Sequence, residues 1–488
     1  MKIYPSVEEI KEKYQSFKTV PVSTEIEADV SALTVLKKLK NVSSHCYMLE
    51  SNDDANNTGR YTFLGYDPKA EVSCTNYNVR FIDSFGVKNY TGDPRKYIKQ
   101  ILDEHKAPKI ENLPTFTGGL VGYFGYDYVK YSEPSLKLDA HDDGNFKDVD
   151  LMLFDKVIVY DHLKQKIMVI ANMKSKDGIQ GYNTALLEIE KMIALINDQR
   201  KLPVLEADKD VKFKCNVTKE EYCRMIEKTK HYIKEGDIFQ GVISRRFVAD
   251  YKSSLINAYR VLRTTNPSPY MYFIQSDDLQ IAGASPETMV KLVDGKLTTF
   301  PVAGTRPRGV NDEQDKTLEK ELLADEKELA EHNMLVDLAR NDMGRIAKYG
   351  SVYLENYMKI HRFSKVMHIA STVCGQIRED KDGCDTVAAL LPAGTLSGAP
   401  KFRACQIIDE LEKEPRGVYG GAIGYIDLSG NLDVCIAIRT AVKKENKVYV
   451  QAGAGIVADS IPESEYMECA HKAGAVIDAI KRGSEVNG

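Results

Sequence analysis

Apolar positions along this chain recur with two periods, and the switches between them mark its elements. Residues 6–16 and 30–39 carry the i, i+3, i+4 spacing of amphipathic helices. Short strand-like runs at 44–49, 60–65, 70–74 and 79–83, separated by polar residues, Gly or Asp, predict strands joined by turns. Pro94 opens a helix over 94–105. In FTGGLVGYFGYDYVKY, which follows, glycines alternate with aromatics, as in a strand with close backbone approach rather than a phosphate loop. Strands at 151–160 and 166–171 and a helix at 182–197 come next. Residues 200–214 are charged, contain Pro203 and have weak periodicity, predicting a linker between a domain at 1–199 and another at 215–488.

The second part alternates helix groups with longer strand runs. Helices are predicted at 219–234, 254–264, 325–344, 386–391 and 401–413, and from Pro462 to near the C-terminus. Strands are predicted at 239–247, in three or four pieces up to Phe300, and at 367–375, 420–426, 433–442 and 447–457. The order argues an α+β fold of large antiparallel sheets covered by helices.

Two helices carry the same polar anomaly. In DEKELAEHNMLVDLARNDMG (325–344), Glu328 and Glu331 fall on the stripe of Leu335 and Leu338, where the helix should be buried. In IPESEYMECAHKAGAVIDAIKRG, Glu465, Glu468 and Lys472 share a face, with Tyr466, Ala470, Ala473, Ile477 and Ile480 as the apolar stripe. One Glu-x-x-Glu taken alone is most often a solvated face. Two of them suggest a four-carboxylate, all-oxygen site of the kind that suits Mg²⁺.

Composition narrows the field. The net charge of −5, from 66 basic and 71 acidic residues with no basic block, gives no reason to expect a nucleic-acid partner. No apolar run approaches membrane-spanning length, and MKIYPSVEEIKEKYQS is amphipathic rather than a signal peptide. Nine scattered cysteines without Cys-x-x-Cys or His clusters suggest a reducing cytoplasm and no zinc.

The ordered series GDIFQGVISRRF (236–247), NPSPYMYF (266–273), GASPET (283–288), PVAGTRPRG (301–309), KVMHIAS (365–371), GTLSGAPK (394–401), YGGAIGY (419–425), CIAIRT (435–440) and QAGAGIVADS (451–460), with the two glutamate helices, resembles the chorismate-utilising enzymes. Within them it is most similar to the component I branch of the anthranilate synthases. The resemblance spans nearly the whole chain and implies that family's sandwich of sheets with helices outside. It also makes 215–488 a catalytic chorismate-binding domain and 1–199 a domain carrying part of an effector site.

The residues carried over fall into sets. Glu328, Glu331, Glu465 and Glu468 would hold Mg²⁺. Arg439 would grip a substrate carboxylate, with Gly453, Ala454 and Gly455 offering backbone N–H groups and Tyr419 and Lys472 assisting. Gly304 and Thr305 would line the ring side. Glu287 matches the acid for the departing hydroxyl, which it serves near neutral pH only if its pKa is raised; neighbouring carboxylates are the expected cause. His368 and Thr395 match positions associated with pyruvate elimination, although a strand histidine also suits a structural hydrogen bond. Gln240 stands where relatives that activate water carry lysine, and Ala303 where aminodeoxychorismate synthases often do. Both favour direct amination by ammonia.

YMLES (47–51) and NPSPYM (266–271) resemble the walls of a tryptophan effector site, with Leu49, Glu50, Ser51, Asn266, Pro269, Tyr270 and Met271 as candidates. The other reading is a strand and turn that merely pack together. No Gly-x-Cys-x-Gly turn is present, so the resemblance implies a separate glutamine amidotransferase subunit as the ammonia source. Two alternatives remain at this level: a synthase stopping at aminodeoxychorismate or 2-amino-2-deoxyisochorismate, and a non-catalytic tryptophan-binding regulatory subunit.

Overall fold

The computed structural model describes residues 2–51, 59–140, 144–277, 279–362 and 366–486. The turn expected after 44–49 falls at 52–58, outside the described residues.

Two antiparallel sheets of 12 strands each face one another. The first runs from Thr19–Glu27 at one edge through Lys166–Lys174, Lys156–Asp161, Tyr61–Tyr66 and Cys46–Glu50. It continues through Tyr270–Gln275, Leu279–Ser285, Thr440–Lys444, Lys447–Ile456 and Gln240–Asp250. In the second, Ala422–Asp427 pairs with Gly119–Phe124, so strands from both sides of residues 200–214 share each sheet.

The burial pattern shows why the sheets stack. Tyr47, Phe63 and Tyr272 of the first sheet and Val121, Tyr123 and Tyr425 of the second form one apolar layer between them. Alternate residues of the same strands point outward to helices: Ile98, Val336 and Val387 pack on the second sheet, and Ile226, Ile408 and Val476 on the first. Strands buried on both faces explain two differences from the sequence reading. The single strands expected at 151–160 and 433–442 are each two: Val149–Phe154 with Lys156–Asp161, and Leu432–Ile436 with Thr440–Lys444. In both cases the chain leaves one sheet and enters the other, and with no solvent face on either side the hydrophobic pattern runs straight through the break.

Other elements lacked a readable period. Thr19–Glu27 is an edge strand containing Pro21, and its first six residues are all buried, so alternation is masked. The helix Asp312–Ala324 is mostly polar and charged and buries only Asp315 and Leu322. Both glutamate helices form as expected, at Glu326–Gly344 and Pro462–Arg482. Asp325 caps the first by accepting from the backbone N–H groups of Lys327 and Glu328. The second buries Cys469, Ala473, Val476 and Ile480, a stripe rotated slightly from the expected one, with Tyr466 and Ile477 at its margin.

Candidate active site

Two sheet crossings run side by side, and each carries a charged residue. The chain passes from Leu279–Ser285 in the first sheet to Thr288–Val293 in the second, with Glu287 between them. It returns from Leu432–Ile436 to Thr440–Lys444, with Arg439 between. The crossings are sewn together: the Ile436 N–H donates to the Glu287 carbonyl at 3.0 Å, and the Ala284 N–H to the Arg439 carbonyl at 3.1 Å. Ser285 Oγ adds a bond to the Ile436 carbonyl at 2.7 Å. Arg439 has φ +52°, a left-handed conformation that non-glycine residues avoid and that persists only where surrounding bonds over-determine it.

Between these crossings and the glutamate helices lies a cavity of about 640 Å³. Gln240, Glu287, Thr395, Tyr419 and Arg439 reach it from the strands and turns. Gly304, Thr305, Gly453 and Gly455 line it, as do Glu328, Glu331, Glu465, Glu468 and Lys472 from the helices. Two expected residues lie elsewhere. Ala454 is fully buried in the outer apolar core, because it alternates with its two cavity-facing neighbours. His368 stands behind the wall, its Nδ1 2.9 Å from the Gly304 carbonyl and 3.0 Å from Thr305 Oγ1. A carbonyl only accepts, so Nδ1 carries the proton. Burial lowers the pKa of this imidazole.

One wall is acidic. Burial raises the Glu331 pKa, and the carboxylates of Glu328 and Glu468 push it further. Glu465 is raised by burial and by Glu468, against a hydrogen bond from Ser460. Gly304, at φ +69° in a bulge opposite His368, lets this wall close: a Cβ there would lie 3.1 Å from Glu328 Oε2. Only partial compensation is at hand, since Arg306 Nη1 is 3.6 Å from Glu328 and Lys472 Nζ 2.7 Å from Glu468. Among the described residues no three His, Cys, Asp or Glu side chains stand close enough together to hold a metal ion. The donor set still fits a hard divalent cation: four carboxylates on one cavity, two with raised proton affinity, mark a surplus of negative charge with oxygen-only ligands.

The opposite wall lacks partners. The half-buried Arg439 guanidinium makes no hydrogen bond among the described residues, and burial lowers its pKa against the nearby Tyr419 ring. Gln240 Oε1 is buried without a partner. Gly455 makes room for that side chain, because a Cβ there would meet Gln240 Nε2 at 2.6 Å. The Glu287 carboxyl is pushed up to about 7 by burial, opposed by Thr395 and Lys472. The elevation thus comes from desolvation, and not from the neighbouring carboxylates the sequence reading expected. Thr395 Oγ1 donates to Glu287 Oε1 at 2.8 Å.

At the candidate effector corner, Cys46–Glu50 pairs with Tyr270–Gln275 in the register Met271 to Glu50 and Tyr272 to Leu49. Glu50 is turned away into an ion pair with Arg263 at 2.8 Å and accepts from Tyr259 Oη. Tyr270 Oη donates to Asp433 at 2.7 Å, Met271 is buried, and Pro269 is half-buried. Asn266 closes the helix Ile256–Thr265 through its N–H. Ser51 ends the described stretch.

Sequence reasoning missed Lys327, Gln451, Asp459 and Ser460, which also line the cavity. Lys327 and Ser460 neighbour recognised glutamates in sequence or space, so helix position could have found them. Gln451 became visible only from strand pairing.

The sandwich and its cavity define a class: this chain belongs to the chorismate binding enzymes, whose family model matches residues 22–478. Relatives that it resembles include component 1 proteins of anthranilate synthase. The one from Acetivibrio thermocellus is 45% identical over 99% of both chains, and that from Aquifex aeolicus 44% identical over 99% of both. The crystal structure of anthranilate synthase component I from Streptococcus pneumoniae is similar at a TM-score of 0.77 and 38% identity, covering 86% of this chain and 92% of that one. The menaquinone-specific isochorismate synthase of Escherichia coli shares the fold at a TM-score of 0.70 and 19% identity, over 97% and 98% of the two chains. No helix among the described residues is long and apolar enough to cross a membrane.

Proposed function

We propose that this chain is the chorismate-converting subunit of an anthranilate synthase, a lyase of tryptophan biosynthesis that turns chorismate and ammonia into anthranilate and pyruvate. The observation that carries the reading is Arg439, a cation without a partner facing four glutamates across one cavity. A dicarboxylate fits that polarity: one carboxylate takes the guanidinium fork, and the other, attached to the ring, lies toward the acidic wall. There Glu331 and Glu468, with Glu328 and Glu465 directly or through water, would hold Mg²⁺, which supplies charge neutralisation for the ring carboxylate.

The chain's own residues divide the remaining work. Gln240 presents an acceptor oxygen and no base, which suits an ammonia molecule that donates hydrogen bonds and needs no deprotonation to attack ring C2. Glu287 gives its proton to the 4-hydroxyl, which leaves as water. Because Thr395 donates to Oε1, the carboxyl proton sits on Oε2. Gly304 and Thr305, held from behind by His368, border the ring. Loss of the ring C2 proton with cleavage of the C3–O bond then aromatises the ring, and the departing enolpyruvate takes up a proton to become pyruvate.

Ammonia comes from a glutamine amidotransferase subunit, with free ammonia substituting at high concentration. The corner of residues 49–51 and 266–271 is the site at which tryptophan inhibits. The component 1 designation of the relatives supports a separate second subunit, and the tryptophan site rests on the resemblance of YMLES and NPSPYM alone.

The test is an assay with chorismate, Mg²⁺ and ammonium that follows anthranilate fluorescence and pyruvate together. Equal amounts of both are expected. An amino-chorismate product without pyruvate sinks this reading in favour of a synthase that stops one step earlier. Unchanged turnover after Glu468→Ala would remove the glutamates from the mechanism.

A further inference from the structure

Beneath the cavity, four wall segments converge on one buried ion pair. Glu412 ends the helix Lys401–Glu412, and Arg416 follows four residues later, with side chains only 5% and 1% exposed. The pair is bidentate, Nε to Oε2 at 2.9 Å and Nη2 to Oε1 at 2.5 Å. The remaining guanidinium donors leave the pair altogether: Nη2 reaches the Val242 carbonyl at 2.6 Å and Nη1 the Leu396 carbonyl at 2.5 Å. Glu412 Oε1 also accepts from Ser244 N at 2.7 Å and Oγ at 2.9 Å, and Gln451 Nε2 donates to that same Oγ at 2.8 Å. The guanidinium carbon lies 4.6 Å from the Tyr126 ring centroid and 5.7 Å from that of Tyr419.

Val242, Leu396, Tyr419 and Gln451 all line the cavity. Val242 is two residues from Gln240 and so on the same strand face, and Leu396 follows Thr395 directly. A buried ion pair is a poor source of stability compared with apolar packing, whereas a planar fork of five donors is a good device for fixing several acceptors at once.

We infer that the Glu412–Arg416 pair is a positioning element of the reaction, holding the strand of Gln240 and the turn of Thr395 at a fixed separation without touching substrate. This rests on the reading that Gln240 faces the incoming ammonia and that Thr395 sets the acid Glu287.

The test uses the full chain in two forms, Arg416→Lys and the apolar double variant Glu412→Leu/Arg416→Met. Folding is followed by thermal unfolding and chorismate affinity by calorimetry. Turnover is measured with saturating ammonium, and the Glu287 carboxyl is titrated by infrared spectroscopy against a Glu287→Gln control. Chorismate affinity is expected to stay within about threefold, because Arg439 and the glutamates are untouched, while kcat falls by at least about tenfold, as displaced reacting groups do. The Glu287 titration should move to higher pH as its bond from Thr395 loosens. Wild-type kcat together with an unmoved titration in the double variant overturns the inference. If the double variant does not fold, Arg416→Lys is judged by the same two readouts. If wild type forms no anthranilate, the functional proposal falls, and the infrared shift alone decides the role of the pair.

Discussion

The cavity and the corner at 49–51 and 266–271 both draw on strands of the first sheet and treat polar groups in opposite ways. Around the cavity, charge and hydrogen-bonding capacity are left over: the Arg439 fork, the buried Gln240 Oε1 and the pushed-up Glu287 carboxyl each lack something that the protein does not supply. At the corner, Glu50 is paired with Arg263 and Tyr259, and Tyr270 with Asp433. Leaving a buried polar group unmatched costs about 1–3 kcal/mol, so several such groups around one space are best understood as partners for a missing ligand. The corner has no such deficit in these side chains. If the corner takes tryptophan as proposed, the contacts would come from Ser51, backbone groups and apolar surface.

The largest effect that can break this contrast is at Glu287. Glu287→Gln keeps the shape and the Thr395 contact but cannot donate an acidic proton, and kcat should fall by about 10³-fold with little change in KM. A loss below about tenfold in steady-state anthranilate assays would take the leaving-group proton away from Glu287. Arg439→Met should come next. It removes a charged hydrogen-bond pair to the substrate, raising KM for chorismate by about 30- to 100-fold.

A subtler effect is on pH. Burial holds the Glu287 carboxyl at about 7, above the usual carboxylate range, with Thr395 and Lys472 pulling the other way. An acid must be protonated to act, so at constant free ammonia kcat should be flat below about 7 and fall tenfold per unit above it. In Thr395→Val, which removes a bond favouring the carboxylate, that limb should shift upward. A downward shift would show that some other group sets it.

Much of this site was legible in the sequence because its chemistry is concentrated in short runs: Glu-x-x-Glu on two helices, GASPET, CIAIRT and QAGAG. What stayed hidden depended on tertiary pairing. The crossings at Asp155 and Ile438–Arg439 left no mark on the hydrophobic pattern, because both flanking strands are buried on both faces. For the same reason the side-by-side course of the crossings that carry Glu287 and Arg439 could not be seen. In the sequence Glu412 and Arg416 are simply charged residues at a helix end, and only their burial sets them apart. Glu50 is the converse: it was grouped with ligand contacts by its place in YMLES, and the structure turns its side chain into the protein.

Substitutions at the corner give the smallest effects on turnover and sharpen the comparison most. Glu50→Ala strips Tyr259 Oη of its acceptor and Arg263 of its partner, and should lower stability by about 1–3 kcal/mol in denaturant titrations while turnover per folded molecule stays the same. Ser51→Phe alters no paired group in the described structure. It should leave kcat within about twofold of wild type and remove inhibition by tryptophan, since a bulky ring would occupy the space the indole needs. If Ser51→Phe instead cost as much turnover as Glu287→Gln, the corner would have to be counted as part of the catalytic machinery, and its saturated polar groups would no longer separate it from the cavity.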